Sequence, residues 1–535
     1  MCSKPALGAV LGAALLAMSS ASAQVESESL GDLSAWGQRY LSVDESEFPN
    51  DLWQRSNDDT LLALMQSVRT ADLSPAERRL LRRTILSPAT RPVGSKAELL
   101  LAERARLMLE LGEARAAAAL VPQLAADSSG LDAETLAVDL DMASGQELTA
   151  CSKLDGPVRA ESYWLKLRAV CAVLEDNVAG AQIAIEVAEA QGAMDDWTIA
   201  AIFASSGDSP NPPEARFDTG LNIALSDKAG LDPVDVEPEP NRPDLAAAVA
   251  QRPGVPADVR ARFAEAASEI GLVDAADRRN ILLSRLEDPE YEPDSLLEQV
   301  LRDLNDPLVS DEDRAAGLAD VLQRAARGGI AEYRSTAKLF EADLANLSQS
   351  EVTADYSLIY ARAATIGGDR DLAQSWMTAL NLSENAREKR FEVAVLNAVD
   401  VIAGRVSSAK AMGAVEKRLI STADSTDRED LAASIFTLWA GLDIPLSPIA
   451  RDFVLQTSDT DIRLAQGQVT SLKAAAKADA VGESALMVLA MTGGDAGALA
   501  GPDKIVLLET LVAIGAEDIA RDLALEMTGF WKETE

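Results

Sequence analysis

The chain has 535 residues, with 86 acidic against 49 basic side chains, a formal net charge of −37, and no histidine. Such a field repels nucleic acid and anionic lipid head groups, and it admits basic proteins, cationic peptides or divalent ions as partners. Without imidazole, Ser-His-Asp and Cys-His catalysis and every histidine-built metal site are excluded.

At the N-terminus, Lys4 precedes an apolar run from Ala6 to Met18, and Ala21 and Ala23 then occupy the small-residue positions of a signal-peptidase site. The run is too short for a membrane-spanning helix. Residues 1–23 are therefore expected to be a signal peptide cleaved near Ala23, with Cys2 leaving alongside it. The mature chain is expected to be periplasmic or secreted, with no membrane span. Its composition, 47% hydrophobic but only 4% aromatic and rich in Ala and Leu, suits closely packed helices.

Residues 24–57 read as an extended lead-in that docks through Trp36, Tyr40, Phe48 and Trp53. An amphipathic helix is predicted over 58–69. Ser74-Pro75-Ala76-Glu77 is a capping box that opens a helix to Leu86, and Ser95-Lys96-Ala97-Glu98 is a second that opens a helix to Leu111. A repeated device follows: a turn residue with Ala five positions later, at Gly112 and Ala117, Gly145 and Ala150, and Asp176 and Ala181. It returns at Gly368 with Ala373 and at Gly515 with Ala520. The turn residue supplies a left-handed cap and the Ala allows close helix packing, so each pair predicts a helical hairpin.

The turns at 112, 145 and 176 lie 33 and 31 residues apart, near the period of about 34 residues of tetratricopeptide repeats. In spacing, hairpin length and the turn-plus-Ala device, residues 96–205 resemble that family, although Leu, Ala or Met mostly replaces its bulky aromatics. Residues 58–206 are thus expected to form N-terminal hairpin repeats. The acidic, Pro-rich segment 207–243 is expected to be a linker. Residues 244–535 are expected to form a second run of hairpins, with helical patterning from 243–251 through to 516–527. The expected class is all-α, an α-α hairpin superhelix or tetratricopeptide-like solenoid.

Several blocks also resemble a group of exported, Ala-rich helical proteins of α-proteobacteria. They are Ala150-Cys151 through Tyr163-Trp164-Leu165-Lys166 to Cys171, the stretch Gln191 to Asp196, and the closing hairpin around Leu511, Gly515, Ala520-Arg521 and Leu525-Glu526. That resemblance implies export and a helical fold and carries no activity.

Cys151 and Cys171 are the cysteines left after signal cleavage, and in an oxidising compartment they are expected to form a disulfide. The register places them on the adjoining helices of successive hairpins, with Tyr163 and Trp164 filling the seam. A redox pair would instead sit close in sequence as Cys-x-x-Cys. Phe217-Asp218-Thr219-Gly220 contains the Asp-Thr-Gly triplet of aspartic proteases, but in one copy within a helical chain, and it is read as a helix N-cap. Glu483-Ser484 and Glu161-Ser162 share the Glu-Ser dipeptide of soluble lytic transglycosylases without the motif that follows it. Ser310-Asp311-Glu312-Asp313 and Asp459-Thr460-Asp461 lack calcium-loop spacing and are read as acidic first turns of helices.

No metal site and no cofactor is expected. The chain is expected to be a non-enzymatic scaffold or adaptor binding other envelope proteins. The alternatives are an enzyme or accessory acting on peptidoglycan or glycan through acidic residues, and a purely structural envelope component.

Overall fold

In the computed structural model, the described residues are 35–124, 132–156, 159–207, 209, 211–234, 236–239, 241–288, 290–456 and 462–532. Residues 1–23, read above as a signal peptide, the start of the lead-in and Asp459-Thr460-Asp461 lie outside them. Among the described residues the chain is all-α, with 28 α-helices, and β pairing is limited to one isolated bridge between Ile462 and Leu499. No helix among them is long and apolar enough to cross a membrane.

Local chemistry sets the helix ends. Helix Pro75–Leu86 opens on a complete capping box: Ser74 Oγ accepts from the Glu77 amide and Glu77 Oε2 accepts from the Ser74 amide at 2.8 Å. The expected second box does not form. Helix Ala97–Glu110 begins after Lys96 with no side-chain cap; the Lys96 amide donates to Asp58 Oδ2 at 3.0 Å, and Glu98 turns to Arg91 at 3.0 Å. A carboxylate remote in sequence thus serves the backbone where this helix begins.

The five turn residues all have positive φ: 81° at Gly112, 73° at Gly145, 58° at Asp176, 93° at Gly368 and 78° at Gly515. After each, the next amide returns to a carbonyl five residues back, as from Glu113 to Met108 at 2.8 Å and from Ala516 to Leu511 at 2.8 Å. These bonds satisfy the last carbonyls of the first helix and reverse the chain. Ala117, Ala150, Ala181, Ala373 and Ala520 are all buried where the second helix meets the first. Asp443 and Asp479 make the same turn, at φ 56° and 52°, with Ile444 N to Trp439 O at 2.8 Å and Ala480 N to Ala475 O at 3.0 Å.

Within the stretch read as a linker, the apolar insert forms helix Gly220–Ala229, capped by Thr219, which packs on Ala133–Ala143 and Asp196–Ser205. Leu221, Ile223, Ala224 and Leu225 are buried there, so the flanking prolines bound a helix rather than an open tether. Buried Arg252 ties this region together, paired with Glu147 and Asp227 and donating to Met142 O at 2.8 Å.

The two ends of the chain meet. Helices Asp58–Ser67 and Pro75–Leu86 pack on Val481–Thr492, and Pro75–Leu86 also packs on Glu517–Thr528. The Gly482 amide donates to Leu52 O at 3.0 Å, and a Cβ at Gly482 would lie 2.5 Å from the Trp53 ring. Around the rim of this seam Arg79 and Arg83 reach Asp518 at 3.0 and 3.2 Å. Deeper in, the Ala76 amide donates to Glu526 Oε1 at 2.9 Å. One apolar core runs from Ala35 to Trp531. Trp36, Phe48 and Trp53 of the lead-in are buried in it, while the fully buried Arg104 bonds only carbonyls, including Ile85 O at 2.6 Å and Ser87 O at 3.0 Å. Burial without a carboxylate partner pushes Arg104 down to about 10.

Candidate binding cavity

Helix Ala275–Leu286 carries Arg278, Ile281, Leu282 and Arg285 at helical spacing, so two guanidiniums share a face with two buried aliphatics. That face points into a cavity of about 480 Å³, walled also by helices Ala257–Glu269, Leu296–Asn305, Asp311–Gly328 and Ile330–Leu339. A volume of this size lies within the range of roughly 300–1,000 Å³ usual for ligand sites.

The walls are charged and largely self-matched. Arg285 bonds Glu298 at 2.5 Å and Asp294 at 2.9 Å and lies over the Tyr291 ring at 4.2 Å. Glu298, itself buried, also accepts from Tyr291 Oη at 2.8 Å and from the Ser295 hydroxyl at 3.2 Å. Burial alone would lower Arg285, but the Asp294 hydrogen bond and the Glu298 and Asp294 charges hold it above its usual value. Arg278, also buried, donates to Ser335 Oγ at 2.9 Å and Glu265 at 2.9 Å, and its Nε has no partner. Burial and then repulsion from Glu265 push both Glu269 and Glu332 above the usual carboxylate range. Arg262, Arg324 and Asp258 stand at the mouth. The arrangement can orient a charged segment; it contains no nucleophile paired with a base.

None of the residues singled out in the sequence lines this cavity. The sulfurs of Cys151 and Cys171 lie 2.00 Å apart, with Cα atoms 5.7 Å apart, between the adjoining helices Glu147–Ser152 and Ser162–Leu174. Trp164 is buried beside them, edge-on to Tyr163 and under the Arg159 guanidinium at 3.9 Å. Thr219 caps its helix through Asn222 N at 3.2 Å, and Asp218 accepts from the Asn222 side chain at 2.8 Å. Glu483 sits in the first turn of Val481–Thr492, next to buried Ser484, and Glu161 is an exposed N-cap. Ser310 caps Asp311–Gly328 by accepting from Asp313 N at 3.1 Å. Among the described residues no group of three or more Cys, Asp or Glu side chains is arranged to hold a metal ion. The cavity residues carried one sequence signal: charged side chains, Arg278 and Arg285, on the apolar stripe of an amphipathic helix. Comparison with protein-family models, with curated proteins and with solved structures finds no match to the chain.

Proposed function

We propose that this chain is an exported, periplasmic protein-binding scaffold, a superhelix of tetratricopeptide-like hairpins whose charged cavity holds a segment of another envelope protein. The observation that carries the reading is the convergence of five helices on a cavity lined by fixed, opposed charges around buried Arg278 and Glu298. Stacked hairpins present extended concave surfaces of this kind, and matched charges across an interface serve specificity more than affinity. The excess of acid in the chain favours a partner segment that is basic overall.

The test is crosslinking and affinity capture from envelope extract, repeated with Arg324→Ala and with Asp258→Ala, two exposed changes at the cavity mouth. A scaffold acting through this cavity captures one defined partner, and both variants lose it. An empty capture, or one indifferent to both variants, overturns the reading. Incubation with purified sacculi serves as the enzymatic control: release of muropeptides that Glu483→Gln abolishes would replace binding with catalysis.

A further inference from the structure

Helix Val178–Ala190 is apolar on two opposite sides. Nine of its thirteen residues are Ala, Val or Ile, and it carries no lysine or arginine. Ala181, Ala184, Ile185 and Ala188 are buried on one side, where the helix packs on Ser162–Leu174. Ala179, Ile183, Val187 and Ala190 recur at helical spacing on the other side and are all exposed, Ile183 by 64% and Val187 by 45%. A helix that is apolar all round is ordinarily buried all round.

Its place in the chain accounts for the open side. The hairpins that turn at Gly112, Gly145 and Asp176 follow one another, and this is the last helix of the three. A hairpin array ordinarily ends on a polar face, because its last helix has no neighbour to cover it. Here the next helix, Asp196–Ser205, packs on Gly220–Ala229 and Ser162–Leu174, and the stripe on Val178–Ala190 stays in water.

Charge decides what fits the stripe. Gln182, Glu186 and Glu189 border it along one edge, at 100° per residue. Both carboxylates are exposed, and neither is ion-paired among the described residues. A second copy on this face would set these carboxylates against their own counterparts, and two net charges of −37 against each other. An anionic lipid surface meets the same repulsion.

We propose that this face receives a basic amphipathic helix of a partner protein, with aliphatic side chains against Ala179, Ile183 and Val187 and lysines or arginines beside Glu186 and Glu189. Two helices that meet through residues at this spacing interdigitate their side chains, and charges along the edge set the choice of partner. The helix offers about 20 Å of length for the contact. None of its residues lines the charged cavity, so this inference does not rest on the scaffold reading.

The test uses the whole chain and a fluorescent helical peptide of Leu, Ala and Lys, with its leucines on one face, followed by fluorescence anisotropy. The comparisons are the same residues in scrambled order and a peptide with Glu in place of each Lys. The expected result is saturable binding of the amphipathic Lys peptide, about ten-fold tighter than of either comparison. Ile183→Ser with Val187→Ser, at exposed positions and with an unchanged circular dichroism spectrum, weakens it by about ten-fold. Glu186→Gln with Glu189→Gln weakens it by about two- to five-fold and reduces its salt dependence. Arg324→Ala, at the cavity mouth, leaves it unchanged. Scrambled peptide binding as tightly would reduce the attraction to net charge and overturn the proposal. No binding, equal binding of the Glu peptide, or affinity indifferent to the serine or the glutamine pair would overturn it too. So would a parent that sediments as a dimer and a serine variant that does not, because a second copy would then cover the face.

Discussion

The cavity around Arg278 and a pocket beside Trp531 share helices Asp311–Gly328 and Ile330–Leu339 and have comparable volumes, about 480 and 370 Å³, but different electrical designs. In the first, nearly every buried charge has its counter-charge built in: Arg285 with Glu298 and Asp294, Arg278 with Glu265. The second is lined by Arg327, Arg362 and Lys532, of which Arg327 and Lys532 are exposed. A buried ion pair contributes little net stability but is costly to break, because removing one partner strands the other in low dielectric. Exposed cations such as Arg327 and Lys532 are screened by water and cost the fold almost nothing. The difference separates charges that the structure depends on from charges that water screens.

The comparison breaks first at Glu298. Glu298→Ala strands Arg285 and leaves Tyr291 Oη without its acceptor, and is expected to lower unfolding free energy by about 3–5 kcal/mol. Arg327→Ala, on the other pocket, is expected to stay within about 0.5 kcal/mol of the parent. Urea denaturation followed by circular dichroism measures both. Equal losses would mean that the two sets of charges do the same work.

A covalent tie between neighbouring hairpins gives a scale for these effects. Reducing the Cys151–Cys171 bridge, with a sequence separation of 20, is expected to cost about 3 kcal/mol by chain entropy. Non-reducing peptide mass spectrometry first checks that residues 151 and 171 are linked. Free thiols in the mature protein would end that account of the hairpin junction.

Glu526 sharpens the contrast at the seam between the chain ends, where a carboxylate is buried without a bonded guanidinium. Its Oε1 accepts from the Ala76 amide, its Oε2 is buried and unpartnered, and Arg334 acts on it only through its charge. Burial, with Glu77 adding repulsion, raises it from 4.5 to about 7 against opposing bonds from Ser74 and Ala76. Burial raises Glu77 in the same direction. A folded-state pKa above the unfolded one means that the folded chain holds the proton more tightly. This contribution is therefore complete below about pH 4.5 and is lost as pH rises through about 7. On the order of 3 kcal/mol is involved. Glu526→Gln should flatten that profile, matching the parent near pH 5 and exceeding it at pH 8. A parent profile that rises across this window would contradict the assignment.

The helical class was legible because capping boxes and the turn-plus-Ala pairs are local. Gly112, Gly145, Asp176, Gly368 and Gly515 announce their turns through side chains a few residues away. Asp443 and Asp479 make the same left-handed turn, but Pro448 and Ser484 stand where Ala was expected, so the helical patterning showed and the turn device did not. The Ser95 box was misleading because Asp58, remote in sequence, holds the Lys96 amide, Lys96 rather than Ser95 stands at the N-cap, and Glu98 turns to Arg91. The meeting of the two ends had no sequence signature at all: Gly482 reads as an ordinary helical glycine until Trp53 is placed against it. Both pockets depend on the same kind of remote packing, and only Arg278 and Arg285, charged residues on an apolar stripe, pointed toward one of them.

The smallest effect is expected where the seam displays its most visible ion pairs. Arg79 and Arg83 converge on Asp518, whose side chain is 50% exposed. Water and salt screen such pairs, so Asp518→Asn should cost less than about 1 kcal/mol and lose that effect in high salt. Gly482→Ala, a few ångströms inward, drives a methyl group into the Trp53 ring and should cost about 1–3 kcal/mol at any ionic strength. Salt-dependent thermal melts of the two variants order the contributions directly. If Asp518→Asn proved the more damaging, the ends of the chain would be held by surface charge, and the apolar packing of Leu52, Trp53 and Gly482 would be its consequence. The ordering expected here places the closure in the core, with the arginines as a rim around it.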